Sequence, residues 1–396
     1  MRYDFDSIVN RRHTNCYKWD EAGVDDLIPL WVADMDFEVA PAITKALHER
    51  VSHGVFGYTM VPDSYYDAII NWFSRRHGWT IEREWIQYTT GVVPAVSAVI
   101  KALTQPGDQV IVQTPVYNCF FTCISNNGCE IVENPLIVTP LPDGFTYTID
   151  FADLEQKAAD LRAKLLLLCN PHNPAGRVWR KEELEHINDI CLRHGVRILA
   201  DEIHCELVHR DYKFIPFASV SEACQDNCIT CNSPSKSFNT AGLQIANIIC
   251  NNPSTRELIN RAININEVCD VNSFGVIALQ EAYNNSEDWL VQLCEYLDEN
   301  YKALLSFFRE RLPHLPIARL EGTYLVWVDI RPTGMTSDQL ADLLLRECKV
   351  QVNPGTMYGK QTGEGFIRIN IATQRSRLME GLRRMEPVLS GKSSTT

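Results

Sequence analysis

The sequence predicts an α/β fold with a large domain, built on a mainly parallel sheet covered by helices, and a smaller α+β domain. Two observations support this prediction. From about residue 85 to about residue 250, short apolar runs alternate with segments of helical pattern, which is typical of a parallel sheet with helices on both faces. After about residue 276 the pattern changes to long amphipathic helices followed by isolated strand-like runs. With 396 residues, 45% of them hydrophobic, the chain can bury a large core.

The individual elements follow from hydrophobic periodicity. The predicted strands of the large domain are Gln109–Gln113, Leu165–Cys169, Val196–Ala200, Cys228–Cys231 and Ile245–Cys250. A helix is predicted over Lys181–His194, because Glu182 and Glu183 suit its first turn and Gly195 ends it. Further along we expect a helix over Ser286–Leu312 and strands over Tyr324–Ile330 and Phe366–Ile371.

Domain organisation and composition narrow the class of protein. The predicted large domain spans 46–275, and the segments 1–45 and 276–396 form the smaller domain, with the aromatic N-terminal segment packed on that domain or on a partner subunit. The net charge of −13, with scattered lysines and arginines, argues against nucleic acid or an anionic membrane as the main partner. The chain has no apolar run of about 18 residues and no apolar signal core at its N-terminus. A cytoplasmic location is therefore expected.

The 14 cysteines predict buried, reduced side chains instead of a disulfide framework. Cys228 and Cys231 have CxxC spacing, but residues i and i+3 of a strand face opposite sides of a sheet. No second pair lies at the spacing of a zinc ribbon. A metal site is not expected.

Three predicted strands end in residues that carry chemistry. Leu165–Cys169 leads to Asn173 in an Asn-Pro-His-Asn-Pro sequence, Val196–Ala200 leads to Asp201, and Cys228–Cys231 leads to Lys236. Carboxyl ends of parallel strands meet at one edge of a sheet, where ligands bind. Pyridoxal 5'-phosphate (PLP) needs these three groups: a lysine that forms an imine, a carboxylate beside the pyridine nitrogen, and an amide at the phenolic oxygen.

Groups suited to the phosphate and to the ring are also present. Gly91, Val92 and Val93 precede a predicted helix, so that free backbone N–H groups can face an anion. Ser233 and Ser235 flank the lysine and add hydroxyl donors, and Tyr117 follows another strand and is placed to stack on the ring. Each motif alone also has a structural explanation, namely a rigid loop, a helix cap, a turn, core packing or a solvent-reaching lysine. Their order along the chain and their shared position after strands favour the cofactor site.

These motifs, over nearly the whole chain, resemble those of the fold-type I PLP enzymes of the class I/II aminotransferase superfamily, and within it the MalY/PatB-type cystathionine β-lyase branch that includes cystalysin. The segments that carry the resemblance are Leu30–Phe37, Phe56–Thr59, Thr90–Val96, Thr114–Tyr117, Asp201–His204 and Glu321–Tyr324. The resemblance implies Lys236 as the Schiff-base lysine, Asp201 at the pyridine nitrogen and Asn173 at the phenolic oxygen. It also implies Arg368 at the substrate α-carboxylate, a task that suits a planar guanidinium.

The resemblance further implies a homodimer with shared active sites, in which Tyr58 reaches the phosphate of the neighbouring subunit. It places Tyr117 on the ring face and Val32 and Ala33 near the substrate. Two positions differ from aspartate-type transaminases, which usually carry a tyrosine where this chain has His204 and an arginine where it has Gln244. His204 either tunes the ring oxygen or packs beneath the cofactor.

The expected activity is an α,β-elimination on sulfur amino acids, such as L-cystathionine to homocysteine, pyruvate and ammonia, or L-cysteine to hydrogen sulfide. Lys236 would remove the α-proton, and Lys236 or Tyr58 would protonate the leaving thiolate. Two alternatives stay open: an aminotransferase that uses a 2-oxo acid acceptor, and a lyase with an additional regulatory role through binding another protein.

Overall fold

The computed structural model describes residues 2–265 and 270–391. Its helices are α1 (Tyr17–Asp20), α2 (Pro41–His53), α3 (Asp63–His77), α4 (Val92–Leu103), α5 (Cys119–Asn126), α6 (Phe151–Ala158), α7 (Lys181–Arg193), α8 (Glu222–Asn227), α9 (Pro234–Ser237), α10 (Pro253–Asn264), α11 (Ser273–Asn285), α12 (Glu287–Arg311), α13 (Ser337–Cys348) and α14 (Arg375–Leu389). None of the helices in this described part is both long and apolar enough to cross a membrane.

The strands are β1 (Ile28–Pro29), β2 (Ile86–Thr89), β3 (Gln109–Val112), β4 (Glu130–Glu133), β5 (Ile137–Leu141), β6 (Gly144–Thr148), β7 (Ala163–Cys169), β8 (Arg197–Asp201), β9 (Cys228–Asn232), β10 (Ala246–Ile249), β11 (Leu325–Asp329), β12 (Val350–Gln351), β13 (Asn353–Pro354) and β14 (Phe366–Asn370). Seven of them form the main sheet in the order β2-β10-β9-β8-β7-β3-β4. Strands β9, β8, β7, β3 and β4 are parallel to their neighbours in that series, and β10 is antiparallel to both β9 and β2. The predicted mainly parallel sheet is confirmed.

Both faces of the main sheet are covered by helices. Along β7, Leu165 and Leu167 belong to one apolar cluster, which includes residues of α4, α5 and α10, whereas Leu166 and Leu168 belong to a second cluster on the other face. The same alternation places Cys228 in the second cluster and Cys231 in the first, as the CxxC spacing on a strand predicts. All cysteines among the described residues are free thiols.

A smaller antiparallel sheet, in the order β11-β14-β13, lies after the long helix α12. The N-terminal segment packs on this part of the molecule: β1 pairs with β12, and the Phe5 ring contacts the ring of Trp289 at 5.7 Å between centroids. The division into 46–275 and the remainder stays a prediction, and its boundary at residue 46 falls inside α2.

The register of the parallel strands determines where the chemical groups lie. Cys169 at the end of β7 pairs with Asp201 at the end of β8, and Asp201 pairs with Cys231 near the end of β9. The segments that follow these strands therefore start at the same edge of the sheet. That edge is the floor of the cavity described next.

Candidate active site

Lys236 lies on the short helix α9, directly after β9. Ser233 caps this helix by accepting a hydrogen bond from the backbone N–H of Ser235 at 3.1 Å. The Lys236 Nζ donates to the carbonyl oxygen of Ala33 at 2.6 Å. Burial lowers the pKa of Lys236, and the nearby Arg368 guanidinium acts in the same direction. Both effects favour the neutral amine, which is the form that attacks a carbonyl group.

Asp201 is the last residue of β8 and is buried. One carboxylate oxygen accepts a hydrogen bond from the backbone N–H of Ile203 at 3.1 Å. Burial raises the pKa of Asp201 to about 7, because the single backbone bond and the charge of Lys236 offset only part of the desolvation. A cationic ring nitrogen at this carboxylate would favour its ionised form.

Arg368 lies on β14, the central strand of the small sheet, and is buried. Its two terminal nitrogens donate to the side-chain oxygen of Asn173 at 3.0 Å and to the carbonyl oxygen of Trp31 at 2.8 Å. Its Nε has no partner, and no carboxylate in the described part of the chain forms an ion pair with it. A buried guanidinium that is oriented by neutral acceptors only is a site for an anionic ligand.

The start of α4 also lines the cavity. Gly91 is the N-cap residue, no side chain caps the helix, and Gly91, Val92 and Val93 all line the cavity. Backbone N–H groups at a helix N-terminus attract an anion such as a phosphate. Ser235 lines the same cavity.

Ser233 does not line the cavity. Its hydroxyl donates to the carbonyl oxygen of Ile245 at 2.6 Å and accepts from Ser235. The oxygen is therefore engaged in holding the turn that carries the lysine, and it positions α9.

Tyr117 and His204 also line the cavity. Burial raises the pKa of Tyr117 well above 10, so that its hydroxyl stays protonated. Burial also lowers the pKa of His204 to about 3, so that its ring is neutral. The His204 Nδ1 has no hydrogen-bond partner.

The cavity has a volume of about 430 Å³ and is lined by nearly all the predicted site residues. Of these, Val32, Ala33, Gly91, Val92, Val93, Tyr117, Asn173, Asp201, His204, Ser235, Lys236 and Arg368 line it. Tyr58 does not; it lies in the loop between α2 and α3 and is 97% exposed. Sequence reasoning missed several lining residues, among them Tyr17, Asn118, Cys119, Asn353, Met357 and Tyr358. Trp31 and Gln244 also line the cavity. The resemblance pointed to both positions, Trp31 within Leu30–Phe37 and Gln244 where aspartate-type transaminases carry an arginine, without naming either as a site residue.

The residues present fit PLP. A nucleophilic amine, a buried carboxylate that forms no ion pair with any described residue, a side-chain amide and an uncapped helix N-terminus surround one cavity. The unpaired Nε of Arg368 and Nδ1 of His204 are buried polar atoms that a ligand could satisfy.

Comparisons with known proteins agree with this site. Residues 25–385 match the family model described as aminotransferase class I and II. The chain is 41% identical to cystathionine β-lyase PatB of Bacillus subtilis, over 98% of this chain and all of that protein. It is 35% identical to the protein MalY of Escherichia coli, over 96% and 97% of the two chains. The crystal structure of cystalysin from Treponema denticola, which contains PLP, superposes with a TM-score of 0.95 at 35% identity, covering 99% of this chain and 100% of the other. The chain therefore belongs to the class I and II aminotransferase family.

Proposed function

We propose that the chain is a PLP-dependent C–S lyase that catalyses α,β-elimination on sulfur amino acids, including L-cystathionine. The observation that carries the proposal is one cavity with Lys236, a buried Asp201 and an Arg368 guanidinium that has no carboxylate partner among the described residues. These groups can bind an amino acid by its carboxylate and place a base close to its α-carbon. PatB, which is 41% identical, is a cystathionine β-lyase, and this supports elimination as the outcome.

Each residue has a separate task in this reaction. When bound, PLP supplies an electron sink for the pair of electrons released at the substrate α-carbon. Arg368 binds the α-carboxylate with a charged, two-pronged contact and so fixes the α-carbon. Asp201 provides the negative charge that keeps the ring nitrogen protonated. Asn173 holds the orientation of Arg368 through their 3.0 Å bond and offers its amide N–H groups to the ring oxygen.

Lys236 carries out both proton transfers of the reaction, at the α-carbon and at the leaving sulfur. Its Nζ removes the proton from the α-carbon, and the carbonyl of Ala33, at 2.6 Å in this structure, holds the amine in the cavity. The bond between the β-carbon and sulfur then breaks, and the thiolate takes a proton from Lys236. Release of 2-aminoacrylate and its hydrolysis give pyruvate and ammonia. The raised pKa of Tyr117 keeps its hydroxyl neutral beside these steps.

The test is pyruvate release from L-cystathionine by the PLP-loaded protein, without any 2-oxo acid. We expect steady release of pyruvate and ammonia in equal amounts over many turnovers. An aminotransferase would release no pyruvate; it would convert about one L-cystathionine per site to the corresponding 2-oxo acid and continue only when 2-oxoglutarate is added, because its cofactor keeps the amino group. That result would overturn the proposed elimination.

We further propose a homodimer in which Tyr58 completes the site of the neighbouring subunit. The support is its position: Tyr58 is 97% exposed outside its own cavity, and the nearby Phe56 and Met60 are exposed as well. Exposed apolar side chains close together favour a protein contact.

A complementation experiment tests the shared site. Lys236→Ala and Tyr58→Ala are each expected to be poorly active alone. In a mixture of refolded or exchanged subunits, half of the dimers are mixed and one of their two sites is intact, so about a quarter of wild-type activity should return. No recovery in verified mixed dimers would contradict the exchange of Tyr58.

A further inference from the structure

Segment 31–37, which follows β1, carries the carbonyl groups that orient two reactive side chains of the cavity. The carbonyl oxygen of Ala33 accepts a hydrogen bond from Lys236 Nζ at 2.6 Å. The carbonyl oxygen of Trp31 accepts one from the Arg368 guanidinium at 2.8 Å. The segment belongs to no helix or strand, so its conformation depends on the contacts of its side chains and carbonyl groups. Whatever holds this segment therefore also sets the positions of the amine and the guanidinium relative to each other.

A buried carboxylate anchors the segment to the N-terminal part of the chain. Asp36 is only 1% exposed. It accepts from the Nζ of Lys18, which is itself buried, at 3.0 Å and from the indole N–H of Trp19 at 2.8 Å. Both donors lie on helix α1. A buried ion pair contributes little net stability, because desolvation of both charges offsets their attraction. What such a pair does supply here is one defined arrangement of the two segments that it joins.

Arg11 joins three consecutive residues of the same segment. Its Nη1 donates to the Asp36 carboxylate at 2.8 Å and to the carbonyl of Met35 at 2.9 Å. Its guanidinium also forms a two-pronged contact with the Asp34 carboxylate, at 2.7 and 3.1 Å. Together Arg11, Lys18, Asp34 and Asp36 form an N-terminal ion cluster, in which two cations balance two carboxylates. This cluster fixes the middle of the segment.

Two asparagines tie the segment to the parts of the chain that carry the reacting groups. Asn239, three residues after the reacting lysine, accepts from the backbone N–H of Met35 and donates to its carbonyl, both at 3.0 Å. Asn370, two residues after the arginine of the carboxylate site, donates to the carbonyl of Asp34 at 2.8 Å. Segment 31–37 therefore connects the N-terminal ion cluster with both reacting groups.

We infer that the N-terminal ion cluster positions the active site by holding segment 31–37, whose carbonyl groups orient Lys236 and Arg368. Arg11 is then a positioning residue, which acts through the segment and does not itself line the cavity. The inference rests on the proposed lyase function, because it concerns the base and the carboxylate site of that reaction. A misplacement of reacting groups by about 1 Å, caused by a change far from the chemistry, lowers the rate by up to about a hundredfold. Misplacement of the lysine lowers kcat, whereas misplacement of the arginine weakens substrate binding.

Arg11→Gln tests the inference, with Arg12→Gln as a matched control. In Arg11→Gln the Lys18 ammonium still lies 3.0 and 3.4 Å from the two carboxylates of the cluster. No buried carboxylate is then left without a cation, and the protein should fold. Arg12 is the next residue in the chain. It donates to the carbonyl of Leu27 and forms no hydrogen bond with segment 31–37, all of which the structure describes.

The first measurement is pyruvate release from L-cystathionine by the PLP-loaded enzyme, expressed per bound cofactor from the visible absorbance. We expect Arg11→Gln to lower kcat about tenfold and to raise KM at least about threefold, and Arg12→Gln to change neither by more than about twofold. Arg11→Lys keeps the charge without the planar two-pronged geometry, and its values should lie between those of the wild type and Arg11→Gln. A purely structural role would lower the amount of PLP-loaded protein and leave kcat per site and KM unchanged. That result, or equal losses in Arg12→Gln, would overturn the inference.

A second measurement separates this inference from the proposed lyase function. L-Alanine has no leaving group on its β-carbon, so its binding to the PLP-loaded protein can be followed by the change in visible absorption without elimination. The Kd for L-alanine should be at least about threefold higher in Arg11→Gln than in the wild type and in Arg12→Gln. Wild-type protein that binds L-alanine but releases no pyruvate from L-cystathionine would reject the lyase function. Equal Kd values in Arg11→Gln and the wild type would instead overturn the positioning role of the cluster.

Discussion

Replacing Arg368 with glutamine tests the assignment of the α-carboxylate site. In the structure the Arg368 guanidinium is buried and lines the cavity, and its Nε has no hydrogen-bond partner among the described residues. A carboxylate bound in two-pronged fashion gains two charge-assisted hydrogen bonds, each worth about 1.5–3 kcal/mol. Their loss amounts to about 3–6 kcal/mol, or roughly two to four powers of ten in kcat/KM.

The fold should tolerate this change. Arg368 has no carboxylate partner among the described residues, so Arg368→Gln leaves no buried charge unpaired. The glutamine amide can still donate to Asn173 or to the carbonyl of Trp31. We therefore expect thermal unfolding close to that of the wild type.

The assay is pyruvate release against substrate concentration, with two controls. Arg368→Lys keeps the charge but loses the planar, two-pronged donor geometry of the guanidinium, and its kcat/KM should lie between those of the wild type and the glutamine variant. Arg331→Gln removes an arginine that pairs with Asp329 and is largely exposed, and it should leave kcat/KM unchanged. If Arg368→Gln stays within about threefold of the wild type, the carboxylate binds elsewhere.

Three further predictions concern other groups. Lys236→Ala should remove both the visible absorption band of the PLP-loaded protein and pyruvate release; activity that survives would exclude Lys236 as the base. Asp201→Asn should keep cofactor bound, as judged by absorbance, and lower kcat by at least about a hundredfold; an unchanged kcat would exclude its role at the ring nitrogen. Burial alone would raise the pKa of Glu206, but His77, Arg76 and Trp72 lower it to about 2. The ionised form is thus stabilised on folding above about pH 4.5, and this contribution, about 3 kcal/mol, is lost as the pH falls towards about 2. Urea unfolding of wild type and Glu206→Gln across that range should show their difference shrinking, and a constant difference would contradict the ion pairing.

The order and extent of most predicted elements agree with the structure. Strand β7 was predicted over Leu165–Cys169 and starts two residues earlier, and helix α12 lies within the predicted Ser286–Leu312. These elements are buried on both faces or have one continuous apolar side, so that their periodicity is strong.

The missed elements have weaker patterns. Strand β4 lies at the edge of the sheet and has glutamates at both ends, and strand β5 of the hairpin β5–β6 is largely exposed and contains Pro140. Nothing in the amino-acid composition of β10 indicates that this strand is antiparallel to its neighbours. Its direction depends on the connection from β9, which contains the short helix α9 and no long crossover helix.

The predicted and the missed site residues differ in the same way as the elements, namely in how strong the local sequence pattern around them is. Asn173, Asp201 and Lys236 were predictable because each lies at or just after the end of a buried parallel strand, and such strands end at one edge. Tyr17 and Met357 lie on a short N-terminal helix and on a turn after β13, two elements that reach the cavity only through tertiary packing. Nothing in their local sequence indicates that contact.

The surroundings of Arg368 show how the fold prepares a charged group for a ligand. Of the five N–H groups of a guanidinium, two are used by Asn173 and by the carbonyl of Trp31, and three remain. Both acceptors are neutral, so they orient the side chain without cancelling its charge. A carboxylate in either place would hold the arginine equally well, but it would compete with the substrate and raise the free energy of binding. The neutral partners also come from distant segments, one after β7 and one after β1. The arginine is thus positioned for an incoming carboxylate only when all three segments are folded together.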